Sequence, residues 1–190
     1  VRNLHLWINE QGEIQAQYAK LHLFSASIKN GPQIRESNTT QPGTDLVSPI
    51  TTPVGRVGLM VCFDVRFPEQ SLALRARGAQ ILTYPSAFTV PTGEAHWEVL
   101  LRARAIETQC WVIASAQVGL HDDEGGKERR SWGHSMVVDP WGRVLVDLGG
   151  EEGKDGGVGV EVVDIDLDLI EKAREQIHLE RRVDVYPEIK

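Results

Sequence analysis

The hydrophobic positions of this chain change period along its length. Leu4-His5-Leu6-Trp7-Ile8 reads as a strand, and Asn9-Glu10-Gln11-Gly12 reads as a turn with glycine where a positive φ costs little. Glu13 to Lys20 alternates loosely and returns, so the two runs predict a hairpin. Residues 25–53 are rich in Ser, Thr, Asn, Pro and Gly and hold no sustained period, which predicts a long loop of the functional kind. Val57-Gly58-Leu59-Met60-Val61-Cys62 is a short continuous apolar run, the pattern of a buried central strand. Pro68 fits the first turn of a helix that runs through Leu72, Ala73 and Ala76 to a stop at Gly78. Ile81 to Tyr84 predicts the next buried strand. A helix follows from about Ala95 to Gln109, with Trp97, Leu100, Leu101, Ala105 and Thr108 near one face, and then a strand from Trp111 to Val118.

Residues 121–130 are charged and contain glycine, which predicts a surface loop. Ser135 to Val138 and Val144 to Leu148 flank a hairpin turn at Asp139-Pro140-Trp141-Gly142. Val158 to Ile165 reads as a strand, and Asp168 as the cap of a last helix reaching about Ile177. Residues 179–190 form a polar C-terminal tail in which Val183, Val185 and Tyr186 alternate. Strands and helices alternate in the middle and hairpins bracket them, so the class is α/β (α+β), a sheet covered by helices, in one domain spanning residues 1–190. The chain starts at Val1 and enters a strand-like run without a capping segment, which predicts a domain cut at its N-terminus.

Composition narrows the function. A formal net charge of -7 argues against nucleic acid as a partner, since phosphate binding wants a basic face. A locally basic pocket for an anionic small substrate remains compatible with it. No apolar run is long enough to span a bilayer, so no membrane association is expected. The two cysteines, Cys62 and Cys110, sit beside strand-like runs and are expected to stay reduced in a cytoplasmic protein, with a mitochondrial form left open. The six histidines show no metal-ligand spacing, and Gly133-His134-Ser135-Met136-Val137 departs from a nucleophile elbow at its last position.

Cys62 is the strongest chemical candidate. A cysteine after an apolar run is usually a packing residue. Here the run ends in Phe63-Asp64-Val65-Arg66-Phe67-Pro68-Glu69, too polar a continuation for packing alone. Ligands of α/β sheets bind beyond the carboxyl ends of strands, so this thiol is expected in a cleft. Arg66 and the nearby helix start favour its thiolate form, and the Phe63 N–H is placed to hold an oxyanion. Lys20 also ends a strand, before Leu21, Leu23 and Phe24. An ammonium at the rim of an apolar site stabilises a tetrahedral intermediate and exchanges protons. His96 and Glu98 open the predicted helix as pocket-wall candidates, and Cys110 is most simply a core residue.

Three stretches make a resemblance specific: Tyr18-Ala19-Lys20-Leu21-His22-Leu23-Phe24, Arg35-Glu36-Ser37-Asn38-Thr39-Thr40-Gln41-Pro42-Gly43, and the run from Val57 to Glu69. They resemble, in order, the lysine, second-glutamate and cysteine motifs of the nitrilase superfamily of carbon-nitrogen hydrolases. Residues 81–88, 95–107 and 131–144 resemble its later blocks, and the wording is most similar to the Nit branch. The resemblance implies an α-β-β-α sandwich, truncated at its N-terminus, and a Glu-Lys-Cys triad without metal or organic cofactor. Cys62 would be the nucleophile, Lys20 the oxyanion-stabilising partner, Phe63 an oxyanion-hole donor and Glu36 the acid that orients the lysine. Arg66, Tyr84, Ala87, Phe88, His96 and Glu98 would bind substrate. The implied reaction is hydrolysis of a small linear amide through a cysteine thioester, on deaminated glutathione or, alternatively, on 2-oxoglutaramate-type amides by an ω-amidase.

The resemblance also implies a homodimer whose C-terminal tail, from Arg181 to Tyr186, reaches its partner. One departure matters. The family's general-base glutamate lies well before the lysine motif, and neither Glu10 nor Glu13 stands in the matching motif. A positioned base is worth about a hundredfold to ten-thousandfold in rate, so this polypeptide alone is expected to be weak or inactive. A non-catalytic interaction protein that keeps the fold is the rival of another class.

Overall fold

Why the site sits where it does follows from the period-2 runs. The computed structural model describes residues 1–27, 33–121, 129–153, 158–182 and 184–185. Leu4–Ile8 (β1) and Ile14–Ala19 (β2) pair antiparallel around a turn in which Gly12 takes φ 80°. Ser25–Ser27 (β3) and Gln33–Arg35 (β4) form a second short antiparallel pair. A 3-10 turn, Glu36–Asn38, follows at once. Ile50–Thr52 (β5) and Gly55–Leu59 (β6) open the main sheet. Helix Pro68–Ala76 (α1), strand Ile81–Thr83 (β7), helix Val90–Thr108 (α2) and strand Trp111–Ala114 (β8) continue it. Val118–His121 (β9) and Arg129–Trp132 (β10) make a separate hairpin, and Met136–Val138 (β11) and Val144–Asp147 (β12) complete the sheet. Helix Asp168–Gln176 (α3) closes the described fold.

The six-stranded sheet has the order β12-β11-β8-β7-β6-β5, with β6, β7 and β8 parallel and the outer pairs antiparallel. Alternation along the parallel strands sends side chains to two faces. Met60, Leu82, Tyr84, Val112 and Ala114 pack with Leu74 of α1 and with Trp97, Leu101 and Ala105 of α2. Val57, Leu59, Val61, Ile81 and Trp111 pack instead with Tyr18 of β2 and Ile170 of α3. Strands buried on both faces explain the continuous apolar runs. The hairpin β1–β2 therefore lies over the sheet, and His5 Nδ1 donates to the Met60 carbonyl at 2.9 Å, tying β1 to the end of β6.

The mixed α/β class, the first hairpin, α1 ending before Gly78 (φ 89°), and the β11–β12 hairpin agree with expectation. Other elements differ. Residues 158–165 form no strand. Val158, Val160 and Val162 are exposed, while Val163 and Ile165 only partly bury against the second core cluster. Alternation alone makes no strand when no neighbour supplies ladder hydrogen bonds. Helix α2 begins at Val90, five residues before the predicted start, because Pro91 fits a first turn as well as Pro68 does. The run from Trp111 to Val118 splits into β8 and β9. The cap of α3 comes from Asp166, whose Oδ1 accepts from the Asp168 N–H at 2.9 Å. Residues 122–128 of the predicted surface loop, and Val183 and Tyr186 of the tail, lie outside the described residues.

Candidate active site

The carboxyl ends of the three parallel strands share one cavity of about 820 Å³. Cys62 comes from beyond β6, Pro85 to Phe88 from beyond β7, and Ser115 to Gln117 from beyond β8. Lys20, Phe24, Glu36, Asn3 and Thr39 line it from the side of the hairpin and the long loop. The stretch 25–53, read from its composition as one long loop, instead holds β3, β4, the 3-10 turn and β5, and its Glu36, Thr39 and Thr40 serve the site.

Cys62 is held by backbone. Its N–H donates to the Pro85 carbonyl at 3.0 Å, just as the Met60 N–H donates to Thr83 at 3.1 Å, so the β6 line runs on past its last ladder residue. At Cys62 the chain leaves that line with φ 48°, a left-handed conformation uncommon for residues other than glycine. A 3-10 turn, Cys62–Arg66, follows. At this bend Cys62 packs at the edge of both core clusters and lines the cavity, half-buried where its strand neighbours are buried. Helix α2 braces the turn through the buried Arg104, whose Nε donates to the Val65 carbonyl at 2.7 Å.

Lys20 is 3% exposed, so its charge needs a partner. Glu36 supplies it, with Nζ to Oε2 at 2.6 Å. The same carboxylate accepts from the Phe24 N–H at 2.7 Å and from Asn3 Nδ2 at 3.3 Å. Burial works against ionising Glu36, but the hydrogen bonds from Lys20 and Phe24 and the lysine charge outweigh it, and its carboxyl titrates below the usual range. The lysine backbone is pinned as well, N–H to the Asn3 carbonyl at 2.9 Å and carbonyl to the Gly43 N–H at 2.8 Å. A side chain at Gly43 would put its Cβ 2.2 Å from the Ala19 carbonyl oxygen, so only glycine allows this approach.

Of the residues singled out by sequence, Cys62, Lys20, Glu36, Phe63, Arg66, Ala87 and Phe88 line the cavity. Arg66 is partly desolvated, which lowers its guanidinium, while nearby Cys62 acts in the opposite sense. The guanidinium lies over the Phe63 and Phe88 rings at 5.8 and 5.4 Å and donates to His96 Nδ1 at 3.2 Å. Three predicted substrate contacts are not part of the lining. Tyr84 is 0% exposed in the core, its hydroxyl bonded to Ser71 at 2.8 Å, and burial raises its phenol well above the ordinary value. His96 stands behind Arg66, and Glu98 faces solvent beside Arg102 on α2.

Sequence reasoning passed over Arg129, which also lines the cavity, and Asp64, which is buried two residues after the thiol. With Lys20 and Glu36 paired, the remaining charged side chains among the described lining residues are Arg66 and Arg129, on a chain that is acidic as a whole. Among the described lining residues, Glu36 is the one carboxylate, and both its oxygens are engaged. No group of three or more His, Cys, Asp or Glu among the described residues is placed to hold a metal ion.

Comparison with known proteins fits this geometry. Residues 1–175 match the model of the carbon-nitrogen hydrolase family. The chain is 49% identical over 188 residues to human deaminated glutathione amidase, a match covering 98% of this chain and 54% of that protein. It superposes on the crystal structure of the C. elegans NitFhit protein with a TM-score of 0.81 at 47% identity, covering 97% of this chain and 43% of that one. A mutant amidase from Nesterenkonia, in which the acetamide moiety of fluoroacetamide is covalently added at the active-site cysteine, aligns with a TM-score of 0.72 at 29% identity, covering 96% and 59%. The chain spans about half the length of the curated relatives it matches.

Proposed function

Because the chain belongs to the carbon-nitrogen hydrolase family, we propose that it carries the nucleophile and the oxyanion-stabilising lysine for hydrolysing a small linear amide. The observation that carries this reading is the shared cavity at the carboxyl ends of β6, β7 and β8, lined by both Cys62 and the Lys20–Glu36 pair. In the proposed reaction Cys62 Sγ attacks the amide carbonyl carbon. The Lys20 ammonium and the Phe63 N–H stabilise the oxyanion. The C–N bond then breaks, ammonia or an amine leaves with the thiol's proton, and water hydrolyses the thioester to restore the thiol. Glu36 orients the lysine through a charge-assisted hydrogen bond and is not free to act as base.

Arg66 and Arg129 favour a substrate with carboxylates, which supports deaminated glutathione as the class of amide. Exposed Ile106, Trp141, Ile177 and Leu179 around a second groove support a homodimer. The test is steady-state turnover of deaminated glutathione and 2-oxoglutaramate by the natural protein and by the 190-residue chain. Preference for the first substrate is expected. With no free carboxylate among the described lining residues, the 190-residue chain by itself is expected to run about a hundredfold or more slower. Preference for 2-oxoglutaramate would replace the substrate, and equal turnover by the 190-residue chain would show that it supplies a base of its own.

A further inference from the structure

Tyr18, Lys20 and His22 are spaced by two, and the residues on either side of the lysine reach the same group. Tyr18 Oη donates to Asp64 Oδ2 at 2.7 Å. The His22 N–H and Nδ1 donate to Asp64 Oδ1 at 3.1 and 2.8 Å. Asp64 belongs to the other arm of the site, in the 3-10 turn that starts at Cys62, and its Oδ2 also accepts from the Val61 N–H at 2.9 Å. The carboxylate is 0% exposed. It therefore holds the residue before the nucleophile and both flanks of the lysine at once. Tyr18 completes the clamp by accepting from the Leu21 N–H at 3.0 Å and from Gln70 Nε2 at 2.9 Å. Burial, and next the Asp64 charge, push the Tyr18 phenol far above its ordinary value, so it stays a donor. Rings follow the same seam: His22 stacks on Phe67 at 3.6 Å, and Phe63 meets Phe24 at 5.2 Å and Phe67 at 5.5 Å.

We propose that Asp64 is a positioning residue that fixes Lys20 against Cys62, one buried carboxylate clamping the two arms of the site. The inference rests on the reading of Cys62 as nucleophile and Lys20 as its oxyanion partner. Core packing alone does not ask for a carboxylate here, since a buried charge is costly unless every oxygen is engaged. Asp64 engages both oxygens, and every donor it engages belongs to a segment carrying Lys20 or Cys62. Replacing one oxygen by an amide NH₂ turns a donor towards donors and lets the arms drift. A misplacement of about 1 Å can cost about a hundredfold in rate.

The test compares Asp64→Asn, Tyr18→Phe and Ser71→Ala in the natural protein, by kinetics, thermal melting and mass spectrometry of the acylated cysteine. Ser71→Ala removes a buried hydrogen bond to Tyr84 and a 3.7 Å contact with Met60 Sδ but none of the bonds made by Asp64 or Tyr18, so it serves as a control for destabilisation. For Asp64→Asn, kcat is expected to fall about a hundredfold with KM within about threefold, the split that marks loss in the transition state. Tyr18→Phe, which keeps the ring in place, is expected to lose about tenfold in kcat. Ser71→Ala is expected to melt lower with kcat within about threefold of wild type. If Asp64→Asn does not fold, Tyr18→Phe against Ser71→Ala decides. Unchanged kcat in Asp64→Asn or Tyr18→Phe, with acyl still trapped on wild-type Cys62, would overturn the clamp alone. So would a kcat loss in Ser71→Ala matching theirs. No trapping on wild-type Cys62 would overturn the underlying reading as well.

Discussion

The parallel sheet has two ends, and each holds a cysteine. At the carboxyl end Cys62 follows β6, bends out with φ 48° and lines a cavity with Lys20. At the amino end Cys110 precedes β8, is 0% exposed, and its thiol donates to the Ala79 carbonyl at 3.2 Å. Burial raises that thiol above its ordinary range. The amino end is shut by the α2–β8 corner. Gln109, in a left-handed conformation (φ 52°), donates from Nε2 to the Ala173 and Ile177 carbonyls, and Arg75 donates to the Thr108 carbonyl and Gln109 Oε1. The same side chain lines a cavity at one end and packs in the core at the other. The difference is made by direction: parallel strands gather their carboxyl ends, and the loops leaving them diverge to leave a crevice.

The comparison can be broken most forcefully by swapping which thiol is removed. In the natural protein Cys62→Ala is expected to lower turnover by at least about ten-thousandfold, since the nucleophile carries the covalent step. Cys110→Ala is expected to leave turnover intact and cost about 1 kcal/mol of stability in a thermal or denaturant melt. Activity surviving the first change but not the second would reverse the assignment. Next in size is Lys20→Met, for which loss of an oxyanion donor predicts about a hundredfold to thousandfold in kcat. A change confined to KM would show that the lysine only binds substrate.

The smallest effect concerns pH. Glu36 is held below its ordinary value in the folded protein, so the stability it contributes is complete above about pH 4.3, the unfolded carboxylate value. It is lost as pH falls through the lower folded value. Melts of wild type and Glu36→Gln at neutral and acid pH should therefore differ, with the variant losing less on acidification. An identical acid response would show that the Lys20–Glu36 pair contributes nothing to folding.

Much of the site was legible because its parts are local. The Val57 to Val61 run announced a central strand, and its polar continuation marked Cys62 as more than packing. Lys20 and Glu36 were found by motif and meet at 2.6 Å. What sequence could not show was set by partners far along the chain. Asp64 looked like one charge among several in a polar turn, yet its side-chain donors are Tyr18 and His22, more than forty residues away. The period-two spacing of Tyr18, Lys20 and His22 was the available signal. Tyr84 and Glu98 read as pocket residues and are not, because Tyr84 alternates to the helix-covered face of the sheet and Glu98 falls on the solvent side of α2. Val158 to Ile165 alternates like a strand and pairs with nothing among the described residues. Two-sided burial, not alternation, made β6 a strand.

The central claim is that the thiol of Cys62 forms the bond to the acyl group. Acid quenching of the natural protein during turnover of an amide, followed by peptide mass spectrometry, tests it most directly. The acyl mass is expected on the peptide containing Cys62, absent in Cys62→Ala and reduced in Lys20→Met. An acyl group carried by any other residue, or full turnover with Cys62 unmodified, would contradict it.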